Sequence, residues 1–161
     1  MTGEEHRWAM RHLATGVVAL TTRCQGRPHA MTMNAVLSVS TDPPTLLASV
    51  GVRARTHEIL HHTGSYTVNV LALDQREQAE RFAASAPMEA DQFAGIRWRP
   101  TLATGNPLLL DSLVAFDCRV RRRIRLGDHT LFVGEVVEVI PARVAEPPLI
   151  FTGGGYVTAG Q

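Results

Sequence analysis

His57-Glu58-Ile59-Leu60-His61 is an HExxH pattern. On a helix its two imidazoles share one face, and the glutamate would serve as general base for a zinc-bound water. Glu80, nineteen residues beyond His61, is a conceivable third ligand. Against this reading, the predicted helix lasts only about two turns before Gly64, and Thr67 stands where the longer zinc-protease motif needs a histidine. Just upstream, Arg53-Ala54-Arg55-Thr56 lies between a buried strand and a helix start. Two guanidiniums, a hydroxyl and unpaired helix N–H groups meet there, a natural site for an anion. Its alternative is a solvated turn with a capping threonine. His129 follows a Gly127-Asp128 turn and opens a strand; alone, such a histidine is more often structural than catalytic.

All sixteen basic residues are arginine. A Schiff-base or phosphate-loop lysine is therefore excluded, and bound phosphate must be held by guanidinium forks, main-chain N–H groups or hydroxyls. Gly153-Gly154-Gly155 is the one glycine cluster, and no helix follows it, so it is not a dinucleotide fingerprint. Arg119, Arg121, Arg123 and Arg125 fall on one face of a predicted strand and Arg122 on the other. A formal net charge of +1 and the lack of interleaved aromatic residues argue against nucleic acid as a partner.

The elements that must position these groups are mostly strands. Met10, Leu13, Ala14 and Val17 follow helical spacing, which predicts an amphipathic helix over Glu4–Ala14. Strands are predicted over Thr15–Arg23 and Arg27–Asn34 about a Gln25-Gly26 turn, then over Val36–Ser40 and Thr45–Val50. A short helix over Thr56–His62 stops at Gly64, and Ser65–Leu71 alternates as a strand. Asp74 is predicted to cap a helix burying Ala79, Phe82 and Ala83. Ala86–Pro107 reads as irregular loop. Val114, Phe116, Cys118 and Val120 alternate with Asp117, Arg119 and Arg121, the period of a half-buried strand with its charged side in solvent. After Gly127-Asp128 a last long strand covers Thr130–Ile140.

The chain has 161 residues, 45% of them apolar. It is predicted to form a single domain over 1–161, mainly β: an antiparallel barrel with a few short flanking helices. Cys24 and Cys118 are far apart with no CxxC, which predicts reduced thiols and a cytoplasmic setting. No leader-like apolar stretch opens the sequence and no run approaches 18 apolar residues, so no membrane association is expected.

Several segments in order resemble the short-chain flavin reductases, the reductase components of two-component flavin-dependent monooxygenases. They are Leu13-Ala14-Thr15-Gly16-Val17, Met31-Thr32-Met33-Asn34, Ser38 through Pro44, Arg53-Ala54-Arg55-Thr56-His57, Val68-Asn69-Val70-Leu71, Arg81-Phe82-Ala83, Phe93-Ala94-Gly95-Ile96 and Gly127-Asp128-His129 through Glu135. The resemblance implies an FMN-binding split β-barrel of Greek-key type, working as a homodimer. It implies NADH or NADPH as electron donor, FMN or FAD as acceptor, and a monooxygenase reached through diffusible reduced flavin. It places flavin against Met31, Thr32, Met33, Asn34 and Ala35. The flavin phosphate falls at Val50, Arg53, Arg55 and Thr56, and the flavin border at Arg81 and Phe82. His129, Gly153, Gly154 and Tyr156 face the nicotinamide, with His129 as the catalytic candidate. Val52 and Ala54 replace a lysine and a serine common in relatives, and Gly153 an arginine. The alternative is a split-barrel protein that retains its flavin and does not turn over free flavin.

Overall fold

The computed structural model describes residues 1–84 and 91–157. In chain order the elements are α1 (Gly3–Met10), β1 (Thr15–Gly16), β2 (Val18–Cys24), β3 (Arg27–Met33), β4 (Val36–Thr41), β5 (Pro44–Gly51), α2 (Arg55–Thr63) and β6 (Ser65–Val70). They continue with α3 (Arg76–Ala83), β7 (Trp98–Pro100), β8 (Pro107–Leu109), β9 (Val114–Leu126), β10 (His129–Pro141), β11 (Ile150–Thr152) and β12 (Gly155–Val157). Seven strands form one antiparallel sheet in the order β3-β2-β6-β9-β10-β5-β4, the mainly β split barrel that the sequence predicts. Period-2 burial is sharpest in β5, where Leu46, Ala48 and Val50 point inward.

Two apolar layers hold the sheet. The inner one fills the barrel with Val18, Leu20, Met33, Leu60, Tyr66, Val68, Cys118 and Phe132. The outer one joins Ala19, Ala30, Leu71, Ala79, Phe82, Phe93, Leu109 and Leu149 beneath α3 and the following loops. Helix α2 closes one end of the barrel, burying Thr56, Ile59 and Leu60 and ending on left-handed Gly64. Within the barrel, the Tyr66 hydroxyl donates to the carbonyls of Leu46 and Phe132, and Gly134 makes room for it: a Cβ there would lie 2.5 Å from that oxygen.

The structure departs from the sequence reading in several places. Helix α1 stops at Met10 because Arg11, His12 and Leu13 take tight turn bonds to Trp8, Ala9 and Met10; it buries no residue. Gln75, not Asp74, occupies the N-cap of α3 and ends a 3-10 turn over Leu73–Gln75: its buried carboxamide accepts from the Ala72 N–H, while Asp74 pairs with Arg143. Ala83 is exposed. Within the stretch read as loop, whose start lies outside the described residues, β7 and β8 form a ribbon.

Asp117 is buried, not solvated. Its Oδ1 accepts from Thr67 and Thr104, each at 2.7 Å, because the ribbon loop covers that face of β9. Further along β9 a bulge between the Arg122–Val133 and Val120–Gly134 pairs resets the alternation. Arg119 opposes Glu135 and Arg122 opposes Val133, whereas Arg123 and Arg125 oppose inward-facing Phe132 and Thr130. The predicted single-faced arginine stripe is thus split between the two sides of the sheet.

Candidate functional site

The floor of the site is the junction of β5, α2 and β10. β5 ends at Gly51, opposite His129; a Cβ on Gly51 would sit 3.6 Å from the His129 Nε2. The connecting turn is closed by main-chain bonds from the Val52 N–H to Asp128 and from the Ala54 N–H to Gly51, both 2.9 Å. Ala54 occupies the N-cap and supplies no side-chain cap, so no side chain of that position covers the first N–H groups of the helix. Arg53 and Arg55 are exposed beside it, and neither is ion-paired among the described residues. The Asp128 carboxylate binds His129 Nδ1 at 2.8 Å. That hydrogen bond, then the imidazole charge, holds the carboxyl below its ordinary range.

Val50 and Thr56 face inward. Val50 is fully buried, so only its main chain borders the turn. The Thr56 hydroxyl lies 2.8 Å from His29 Nε2, with both residues buried. Burial, then the Arg55 guanidinium, brings the His29 imidazole down to about 4. His29 was not singled out in the sequence, although it shares the inward phase of β3 with Met31 and Met33.

The HExxH histidines serve packing. His57 Nε2 is 2.8 Å from the Thr130 hydroxyl, and both His57 and His61 meet the Phe132 ring edge-on. Burial, then His61 and Arg125, lowers the His57 pKa. Among the described residues no three His, Cys, Asp or Glu side chains are placed to share a metal ion.

The wall of the site is β3, an edge strand that among the described residues pairs only with β2. Its outward main-chain groups at Ala30 are both taken by the Gln92 carboxamide, at 3.3 Å each. By the alternation of an antiparallel ladder, the N–H and C=O of Thr32 point the same way, and no described residue binds them. The Thr32 hydroxyl instead donates to the Ala79 carbonyl of α3 at 2.6 Å. Met33 is buried, and Asn34 and Ala35 are exposed. Asn34 donates to Thr15 Oγ1 at the rim of a cavity of about 370 Å³ lined by Val18, Val36, Val68, Val70 and Phe116. The Ala35 carbonyl accepts from the Ser49 N–H, which ties the end of β3 to the floor.

Arg81 is bonded to the Ala94 carbonyl and to Glu77. The Phe82 ring packs against Phe93 in the outer layer, so it supports the wall from behind. Gly153 and Gly154, with φ of 63° and 84°, form the turn between β11 and β12. That hairpin is held by the Gly153 N–H donating to the Arg11 carbonyl and by Arg76 lying over the Tyr156 ring. Burial, then Glu80, raises the Tyr156 pKa. No hydrogen bond or ring contact among the described residues joins this hairpin to His129.

The donor set suits a planar ligand with an anionic tail. Among the described residues, two unpaired guanidiniums beside an uncapped helix start could hold an anion, and the open groups of Thr32 could pair with a heterocycle bearing both donors and acceptors. A flavin nucleotide has both features. Residues 10–160 match the family described as flavin reductase like domain. The chain is 37% identical over 153 residues to an FMN reductase (NADH), RutF, of Stutzerimonas stutzeri (strain A1501), covering 95% of this chain and 86% of that protein. It superposes on the NADH:FAD oxidoreductase SgcE6 of Streptomyces globisporus C-1027 with a TM-score of 0.92 and 31% identity, covering 98% and 93% of the two chains. The styrene monooxygenase flavin reductase SMOB of Pseudomonas putida S12 gives a TM-score of 0.85 and 29% identity over 96% and 97%. Fold, donor set and sequence agree: the chain belongs to the flavin reductase family.

Proposed function

We propose that this protein uses NADH or NADPH to reduce FMN or FAD, and releases reduced flavin to a flavin-dependent monooxygenase. The observation that carries the reading is the meeting of the uncapped α2 start and its free arginines with the open edge of β3. Arg53, Arg55 and the first N–H groups of α2 hold the phosphate. The main chain of Met31–Ala35 aligns the ring system, with Arg81 flanking it. His129 and the Gly153, Gly154 and Tyr156 turn receive the nicotinamide. Bound flavin supplies the hydride-accepting chemistry; the protein contributes binding, orientation and electrostatics. Hydride transfer needs no strong acid or base, so the residues act by holding the two rings in contact.

Residues 1–161 act as one unit, and we infer a homodimer. On the outer face of the sheet Leu37, Leu47 and Val133 lie side by side, followed by Leu131 and Ile124. Leu37, Ile124 and Leu126 leave 62%, 43% and 57% of their surface exposed, an apolar patch suited to a second copy. His129 lies on this face, so the site would border the interface. Sedimentation at micromolar concentration checks the dimer. The two unpaired cysteines suit the reducing cytoplasm, and no helix among the described residues is long and apolar enough to cross a membrane.

Steady-state NADH oxidation with added FMN or FAD tests the function. Turnover that saturates with flavin supports the reductase. Stoichiometric, tightly held flavin without turnover supports a retaining flavoprotein instead. His129→Ala is expected to slow turnover while flavin still binds; an unchanged rate removes His129 from the site.

A further inference from the structure

We propose that His29 is a positioning residue for the flavin phosphate, acting through the Thr56 hydroxyl; this rests on the flavin reading above. Thr56 sits in the first turn of α2, between exposed Arg55 and half-buried His57. The residue is only 2% exposed, so its side chain is turned away from a ligand at the helix start. What it touches is His29, at 2.8 Å. His29 belongs to β3, the strand whose next residues, Met31 to Met33, form the wall for the ring system. The bond therefore fixes the distance between the wall and the phosphate turn, the two surfaces that must grip one ligand together.

The charges around His29 support this role. Arg55 lies close enough to disfavour a second positive charge, so the imidazole stays neutral and leaves the guanidinium for the phosphate. No side chain caps α2; His57 ties its first turn to β10 through Thr130, and among the described residues the His29–Thr56 bond is the side-chain hydrogen bond that ties it to β3. The loss of His29 would free the first turn to shift by a fraction of an ångström, enough to weaken a grip that depends on converging donors.

Riboflavin separates this role from general structural support, because it has the ring system and ribityl chain of FMN without the phosphate. For His29→Leu, the KM for FMN is expected to rise about tenfold while the KM for riboflavin stays within about twofold. Thr56→Val should reproduce that pattern, and the double variant should be no worse than either single one, since both break the same bond. His29→Gln, which restores a polar atom at similar reach, should recover most of the FMN preference. Equal rises for FMN and riboflavin, or no rise for FMN, would overturn the proposal; if His29→Leu does not fold, Thr56→Val decides it by the same ratio. Should the wild type oxidise no NADH with added flavin, the reductase reading fails, and dissociation constants for FMN and riboflavin from flavin fluorescence still decide the role of His29.

Discussion

The turn at Gly51–Thr56 and the hairpin turn at Gly153–Gly154 are both proposed to receive a nucleotide, yet they are anchored to different parts of the molecule. The first is tied into the barrel interior by His29–Thr56 and His57–Thr130 and by main-chain bonds to Asp128 and within the turn. The second rests on the periphery, against Arg11 of the loop after α1 and Arg76 of α3, with a partly exposed Tyr156 packed on Phe151. The contrast suggests a division of labour: a rigid floor for the flavin, and a lightly held rim for a donor that must enter and leave in every cycle.

The largest test disrupts the barrel interior on which both regions depend. Gly134→Val would drive a side chain into the Tyr66 hydroxyl and the Cys118 Cβ. The cost, about 3 kcal/mol or more, should appear in urea denaturation, with all activities falling together. Almost as large is an effect of acid on the floor alone. The folded His29 pKa of about 4 lies below the ordinary 6.5, so the unfolded chain binds the extra proton. Stability should therefore fall as pH drops from 6.5 toward 4, by about 3 kcal/mol from this group, and His29→Gln should lose that part of the slope.

The arginines of the floor come next. Arg55→Ala is expected to raise the KM for FMN about tenfold, the loss of roughly one charge-assisted hydrogen bond, with the KM for NADH unchanged. Tyr156→Ala should do the reverse: a KM for NADH raised about fivefold from lost stacking area, and unaltered FMN binding. If Tyr156→Ala weakens FMN as much as NADH, floor and rim are not separate. The smallest effect belongs to Arg76→Gln, about 0.5 kcal/mol from an exposed cation–π contact, detectable as a slight fall in the melting temperature.

Much of this arrangement was readable from local pattern. Gly64 stops α2 where the sequence places the stop, and the position of Arg53 and Arg55 between a buried strand and a helix start survives in the fold. What failed needed knowledge of distant contacts. Alternation along β9 holds as far as Val120, then slips by one residue at a bulge that strand periodicity cannot reveal, so Arg123 and Arg125 change sides. Asp117 has the spacing of a solvated residue, yet Thr104, thirteen residues upstream, folds over it. The family resemblance puts Thr56 and Phe82 beside the flavin; what the fold adds is that both side chains are buried, Thr56 against His29 and Phe82 against Phe93. The stretch Pro28 through Met33 does place His29 in phase with half-buried Met31 and buried Met33, a polar residue on an apolar face. That was the available signal for it, and its partner on another element was out of sight.

Gln92 has a consequence for solubility. A strand border with vacant amides invites a neighbouring polypeptide as readily as it invites a small heterocycle. By lending its carboxamide to both groups of Ala30, Gln92 breaks the row after a single open residue. What remains is long enough for one ring and too short to template another chain, so recruitment of cofactor need not bring self-association along this border.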